Sequence, residues 1–460
     1  MFIMETLATS QLLFRLKGQL ITPKDAEYET ARQVYNGMID KRPALIARCA
    51  SVEDVVMMVN FARKNQLLVS IRGGGHNGAG FGVNDGGLVI DLSLMKGIEV
   101  NPEDNTVRVE AGCLLRDVDA ATHPYGLAVP SGINGTTGIA GLTLGGGVGY
   151  LSRKFGLTID SLLSADVVLA HGEVVTASAG EHPDLFWAIR GGGGNFGVVT
   201  SFVFRGNPIR TVVAGPMLWE LADARAIMRW YRTYIKQAPD EINGWFAFLT
   251  VPPGPPFPEQ LHLKKMCGIV WTYTGPADKA EDVFSPIRQM KTPALEMIGE
   301  MPVPVMQGMF DALYPPGLQW YWKGDYVNEL SDEAIDIHLK YGNRLPSALS
   351  TMHLYPINGA AGRVSNDATA WNYRDATWAM VIAGIDADPA NKEVITNWAR
   401  SYWQELHPYS AGGSYVNFMM DEGTDRVKAT YGANYERLAA IKHQYDPENL
   451  FRVNQNIRPD

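Results

Sequence analysis

The sequence predicts an α+β protein of two domains, and three observations carry that expectation. The chain has 460 residues, above the roughly 250–300 at which a single hydrophobic core stops growing. Glycine runs are confined to the first half: Gly73-Gly74-Gly75 followed by His76, Asn77 and Gly78, then Gly145-Gly146-Gly147 followed by Gly149, then Gly191 to Gly194 followed by Gly197. Beyond about residue 210 these runs stop and aromatics rise, with Trp219, Trp230, Tyr231, Trp245 and Trp271. There helix-period segments alternate with strands, a texture that suits a sheet covered on one face by helices.

The elements follow in order. Ser51-Val52-Glu53-Asp54 reads as a helix N-cap with an acid three residues on, and Val55, Val56, Met58, Val59 and Ala62 then supply an apolar face. Strands at Pro43 to Ala47 and Leu67 to Ile71 complete a βαβ unit. Hairpins are expected at Ile98–Val109 and Ala165–Val175, which makes His171 a turn residue. In the second half, helices are expected over Ala222–Lys236, Ala280–Met290 and Asn391–Leu406, and strands over Trp245–Val251, Cys267–Thr272, Ser350–Tyr355 and Ala376–Ala383. Near the end, Tyr415 to Phe418 resembles a strand, Tyr431 to Tyr445 a helix, and Asp446 to Phe451 a turn. The tail closes on Asn454-Gln455-Asn456-Ile457, whose amides suit a polar ring edge.

A glycine cluster costs backbone entropy and packs nothing, so it marks a place where something approaches the main chain. Bare N–H groups in such a loop form a concave anion site suited to pyrophosphate, and three runs suggest a dinucleotide lying along a large surface. Gly73/Gly75/Gly78 and Gly192/Gly194/Gly197 both fit G-x-G-x-x-G, but a nicotinamide-binding fingerprint must open a helix. The first run leads toward the strand Leu88 to Leu92, and the second runs straight into Val198-Val199-Thr200-Ser201-Phe202, so neither meets that condition. Tight turns alone are the plainer alternative.

Composition narrows the classes. A net charge of −9 and a pI of about 5.6 argue against nucleic acid or anionic membrane as partners. No apolar run is long enough to span a bilayer. Met1 to Ala8 lacks the pattern of a signal peptide. Cys49, Cys113 and Cys267 are odd in number and far apart, which suits a reducing cytoplasm. The nine histidines show no ligand spacing, so no metal is expected.

In register, the motifs Arg72-Gly73-Gly74-Gly75-His76-Asn77-Gly78, Asp85-Gly86-Gly87-Leu88-Val89-Ile90-Asp91-Leu92, Gly138 to Gly149, Gly156-Leu157-Thr158-Ile159-Asp160, Leu185 to Gly197 and Tyr445 to Arg452 resemble a berberine bridge enzyme-like flavoprotein of the vanillyl-alcohol oxidase and p-cresol methylhydroxylase (PCMH) family. The resemblance implies a PCMH-type FAD-binding domain at residues 1–210 (core 40–208). A substrate domain at 211–411 would follow, and a C-terminal segment at 412–460 would return to the first domain. It implies FAD, tethered through His76. Asn134 stands where some relatives carry a cysteine that makes a second link, so no cysteinyl link is expected. The matching segments also offer Arg72, Gly73, Gly74, Gly75, Asn77, Gly78, Thr137, Gly138, Gly141, Leu142, Gly145, Gly146, Gly149, Val199, Asn417, Asn454 and Asn456 as cofactor contacts.

The implied chemistry is oxidation of a small molecule (a sugar, an aryl or allylic alcohol, or a cyclic amine) by hydride transfer to the flavin, with O2 as acceptor. A base must take the substrate proton. The segment Arg363 to Arg374, read as a strand by the resemblance, offers Asn366 or Asp367, and Tyr373 and Tyr415 are further candidates. An unperturbed tyrosine titrates near about 10, so a cation would be needed, and Lys323 after Trp320-Tyr321-Trp322 is the candidate. A dehydrogenase using another acceptor, with Thr137 tuning oxygen access, and a non-catalytic flavin-binding protein are the alternatives.

Overall fold

The structure, a computed structural model, describes residues 15–459; the reading of Met1 to Ala8 lies outside them. Two larger sheets and a two-stranded pair, Leu127–Ala128 with Asn207–Pro208, make the first half. In one, the strand order is Gln19–Ile21, Leu45–Arg48, Leu88–Asp91, Val69–Arg72. The last three are parallel, so Leu88–Asp91 lies between the two strands of the βαβ unit. Its helix, Val52–Lys64, is capped as expected, with Ser51 Oγ accepting from Asp54 N at 3.4 Å. The Asp54 carboxylate in turn accepts from Lys17 N at 2.9 Å and Gly18 N at 3.0 Å, which fastens the first strand to the helix start.

The second sheet is antiparallel, in the order Ile98–Asn101, Thr106–Glu110, Val198–Arg205, Leu162–Val168, Val174–Ser178. The two expected hairpins thus flank the strand that leaves the last glycine run. His171 sits exposed in its turn, 2.8 Å from Glu173. One core joins both sheets and also takes in Val416, Leu438, Phe451 and Ile457 from the C-terminal segment.

From Thr211 onward the chain builds an eight-stranded antiparallel sheet. Side chains alternate between its faces. Phe246, Phe248, Met352, Leu354, Met380 and Ile382 meet the helices Ala224–Gln237, Ala280–Met290, Asp332–Gly342 and Lys392–Leu406. Trp219, Trp271 and Trp378 are fully buried there. Losing one such indole costs about 3–5 kcal/mol. The other face, with Trp245, Tyr355 and Val381, packs toward Val148, Tyr150 and Leu157 of the first half.

Three expectations are corrected. Tyr415 to Phe418 is a 3-10 turn over Val416–Phe418, closed by Phe418 N donating to Tyr415 O at 2.8 Å. Arg363 to Arg374 is no strand: the 3-10 turn Ala361–Arg363 leads into irregular chain. Asn366 Oδ1 accepts from Arg374 N at 2.5 Å, so a side chain takes the backbone donor that a ladder would use. The helix expected over Tyr431 to Tyr445 begins only at Tyr435, and Tyr431 instead ends a separate helix, Thr424–Tyr431, because Gly432 turns the chain at φ 49°.

Candidate active site

A cavity of about 350 Å³ lies between the glycine loops and the helix-free face of the eight-stranded sheet. Its floor is backbone. Gly74 and Gly138 touch so closely that a Cβ on either would strike the other's main chain. Gly141 and Gly194 differ: a Cβ there meets nothing within 4 Å, and both line the cavity. Protein packing therefore does not require glycine at those two positions, whereas a ligand lying against the chain does. Among the described residues, the N–H groups of Gly74, Gly75, His76 and Asn77 find no acceptor, which leaves donors for an anion. Arg72, whose guanidinium pairs with Asp91 at 2.7 Å and donates to Ala31 O at 2.7 Å, holds the base of this loop.

His76 stands at one end of the cavity, stacked on Tyr35 with ring centroids 3.8 Å apart. Its tautomer follows from its partners. Asn134 Oδ1 accepts from Thr136 N at 2.9 Å, which fixes that atom as the oxygen. The Thr136 hydroxyl donates its single proton to the same oxygen at 2.6 Å. Thr136 Oγ1 must then accept from His76 Nε2–H at 2.9 Å, leaving the lone pair on Nδ1. Thr137 Oγ1 lies 3.4 Å from that nitrogen. Burial pushes the imidazole down to about 3, so it is neutral at ordinary pH.

The opposite wall comes from alternate residues of three neighbouring strands. Trp320 and Trp322 project from Gln319–Val327, Thr351, His353 and Tyr355 from Thr351–Pro356, and Val381, Ala383 and Ile385 from Trp378–Asp386. The polar trio is internally bonded. Thr351 Oγ1 donates to Phe248 O at 2.7 Å and so accepts from His353 Nε2–H at 2.9 Å. His353 Nδ1 then accepts from the Tyr355 hydroxyl at 2.5 Å. Burial lowers His353 to about 3 and raises Tyr355 well above its usual range.

Tyr415 and Asn417 also line the cavity. The Tyr415 oxygen accepts from Gly147 N at 2.9 Å and Asn417 Nδ2 at 2.8 Å. Those two bonds favour the phenolate, but burial outweighs them and the hydroxyl is pushed up to about 12. Asn134, Thr137, Gly138, Leu142, Gly145, Val199 and Asn454 are lining residues as well, with Gly73, Gly75 and Asn77. Asn454 donates to Gly194 O at 3.1 Å, while its own buried Oδ1 has no protein partner.

Other candidates lie elsewhere. Gly78 backs onto Trp322, Gly146 onto Trp371, and Gly149 onto the Ser131 carbonyl. Asn456 borders a second, more polar cavity with Lys41 and Arg458. Asn366 and Asp367 are exposed on turns outside the main cavity. The Tyr373 hydroxyl donates to Ala429 O at 2.8 Å and its ring stacks on Tyr326. Lys323 points away from Trp320 and Trp322, as strand alternation requires. It pairs with Glu422 and sits over the Trp403 ring. Sequence reasoning missed His353 and Tyr355, although the alternation of Thr351, His353 and Tyr355 with Met352 and Leu354 was a usable signal. Tyr35 had none, since only the fold brings it to His76. No group of three or more potential ligands that could hold a metal ion occurs among the described residues.

A backbone cradle with free N–H groups, the neutral His76 at one end and an amide-bearing tail fits FAD and defines an FAD-linked oxidoreductase. A family profile described as an FAD binding domain matches residues 43–178, and one described as berberine and berberine like matches 414–458. The FAD-linked oxidoreductase YgaK of Bacillus subtilis is 32% identical over 97% of this chain and 98% of its own length. The (R)-6-hydroxynicotine oxidase of Paenarthrobacter nicotinovorans is 28% identical over 97% of each. Among solved structures, BBE-like 1 of Physcomitrella patens superposes with a TM-score of 0.86 at 27% identity, covering 98% of this chain and 99% of that one. The chain belongs to the berberine bridge enzyme-like family of FAD-linked oxidoreductases, enzymes that act on small molecules.

Proposed function

We propose that this enzyme is an oxidase of a small uncharged alcohol, carrying FAD on His76 alone and returning electrons to O2 as hydrogen peroxide. The observation that carries the reading is the His76 tautomer: a neutral imidazole at the end of a glycine-lined cavity, with Nδ1 unprotonated and met only by the Thr137 hydroxyl at 3.4 Å. That nitrogen is the atom that would hold the 8α carbon of the flavin. Cys49, Cys113 and Cys267 are all buried, and none lines the cavity, which supports a single link. FAD, when bound, supplies the two-electron acceptor for a substrate hydride.

The chain's own residues supply the rest. Trp320, Trp322 and Phe418 offer aromatic faces to the substrate and exclude water. Among the described residues no carboxylate lines the cavity to pair with an ammonium group, and Arg72 is already matched to Asp91. This favours a hydroxyl donor over a charged amine. The Paenarthrobacter relative is named as an oxidase, which supports O2 as acceptor.

The test is anaerobic bleaching of the flavin by sugars, aryl alcohols and cyclic amines, followed by an oxygen electrode. The reading expects bleaching by an uncharged alcohol and stoichiometric oxygen uptake on re-aeration. Bleaching without oxygen uptake would instead mark a dehydrogenase.

A further inference from the structure

We propose that Tyr355 takes the substrate's hydroxyl proton while passing its own proton to His353 Nδ1, with Thr351 holding the imidazole in the receiving tautomer. The inference rests on the alcohol-oxidase reading above. Its basis is the hydrogen-bond direction along one strand face. Phe248 O accepts from Thr351, Thr351 accepts from His353 Nε2–H, and His353 Nδ1 accepts from Tyr355 at 2.5 Å. Every proton in that chain is accounted for, and the free end is the Tyr355 oxygen on the cavity wall.

The balance is complete. Bound FAD would accept the hydride released from the substrate C–H bond. The substrate O–H bond breaks and its proton goes to Tyr355 Oη. The Tyr355 O–H bond breaks and that proton goes to His353 Nδ1. The resulting imidazolium keeps both N–H groups bonded, one to Tyr355 and one to Thr351. Tyr355 therefore never needs to become a bare phenolate in a buried wall. Its titratable neighbours are Tyr150 and Tyr314, which oppose such a charge; Trp245 and Phe418 pack its ring. Tyr415 has a different environment: two N–H groups point at its oxygen, and among the described residues no basic side chain receives its proton.

The two tyrosines give different pH signatures. A lone Tyr415 phenolate, its hydroxyl held at about 12, would make the bleaching rate climb tenfold per pH unit through neutrality. The Tyr355–His353 relay starts from neutral groups and gives a flat rate between about pH 6 and 9.

The experiment uses FAD-loaded protein, with 4-methoxybenzyl alcohol and cellobiose as probes. In Tyr355→Phe the acid-stable flavin and its visible spectrum should stay unchanged, while anaerobic bleaching slows about 100-fold or more. In His353→Asn the flat profile should become one that rises with pH. Bleaching by Tyr355→Phe at the wild-type rate, or a wild-type rate rising tenfold per pH unit, would overturn the proposal. A second readout needs no turnover: ¹⁵N-histidine NMR of the holoprotein should show His353 with an unprotonated, hydrogen-bonded Nδ1 whose shift moves in Tyr355→Phe. Observation of Nδ1–H would overturn the relay even if neither probe bleaches the flavin, whereas silent probes with the expected tautomer would count against the alcohol reading alone.

Discussion

Replacing Thr136 with valine tests how the site prepares His76. The change keeps the branched shape and removes only the hydroxyl. In the native chain that hydroxyl gives its proton to Asn134 at 2.6 Å and accepts from His76 Nε2–H at 2.9 Å. The alternative tautomer, with its proton on Nδ1, would break that second bond. A hydrogen bond of this kind is worth about 0.5–1.5 kcal/mol, so the native site favours the form with an unprotonated Nδ1 by roughly 2- to 12-fold over a site without it. Tyr35 still stacks on the ring, so orientation is largely kept. Apoprotein mixed with FAD should therefore gain acid-stable flavin about 2- to 12-fold more slowly in Thr136→Val than in wild type, with little change in non-covalent FAD affinity. An unchanged rate of attachment would refute the tautomer argument.

Three further outcomes follow from buried charge. Asp119 is buried, its Oδ2 has no partner, and burial with Asp311 nearby raises its carboxyl to about 7. A raised acid is most at home protonated, so its cost grows as pH climbs from about 4 to 7; Asp119→Asn should raise the melting temperature at pH 8, by about 1–3 kcal/mol of stability, and lose that gain below pH 4. Lys442 is fully buried, pairs with Asp446 at 2.6 Å, and donates to Asn195 O and Phe451 O; Lys442→Met should cost about 3–5 kcal/mol, read as a fall in thermal midpoint, and loosen the C-terminal segment. His338, like His353, is pushed down to about 3 by burial. The unfolded chain binds their protons below about 6.5 and the folded chain does not, so stability should fall as pH drops from 6.5 toward 3, and a melt at pH 5 that matches pH 7 would contradict this.

Much of the fold was legible because it is written locally. The Ser51 cap, the two hairpins and the helix Ala280–Met290 follow from spacing and turn residues, and the glycine runs marked the loops that line the cavity. The strand that the resemblance placed over Arg363–Arg374 failed for a local reason: the Asn366 side chain takes the Arg374 N–H that a ladder would use. Lys323 was misplaced for want of applying strand alternation to the run that contains it. The substrate wall was less legible because it is assembled from three strands distant in sequence, and the partner that fixes His76, Tyr35, comes from a loop whose position only tertiary packing sets.

The central claim is that the covalent link to FAD is made by His76 and by no other residue. Purified protein, precipitated with acid and digested, should carry all of its flavin mass on a peptide containing His76, and His76→Ala should carry none. Flavin fully extracted by acid, or an adduct on a peptide containing Cys113, would contradict the account.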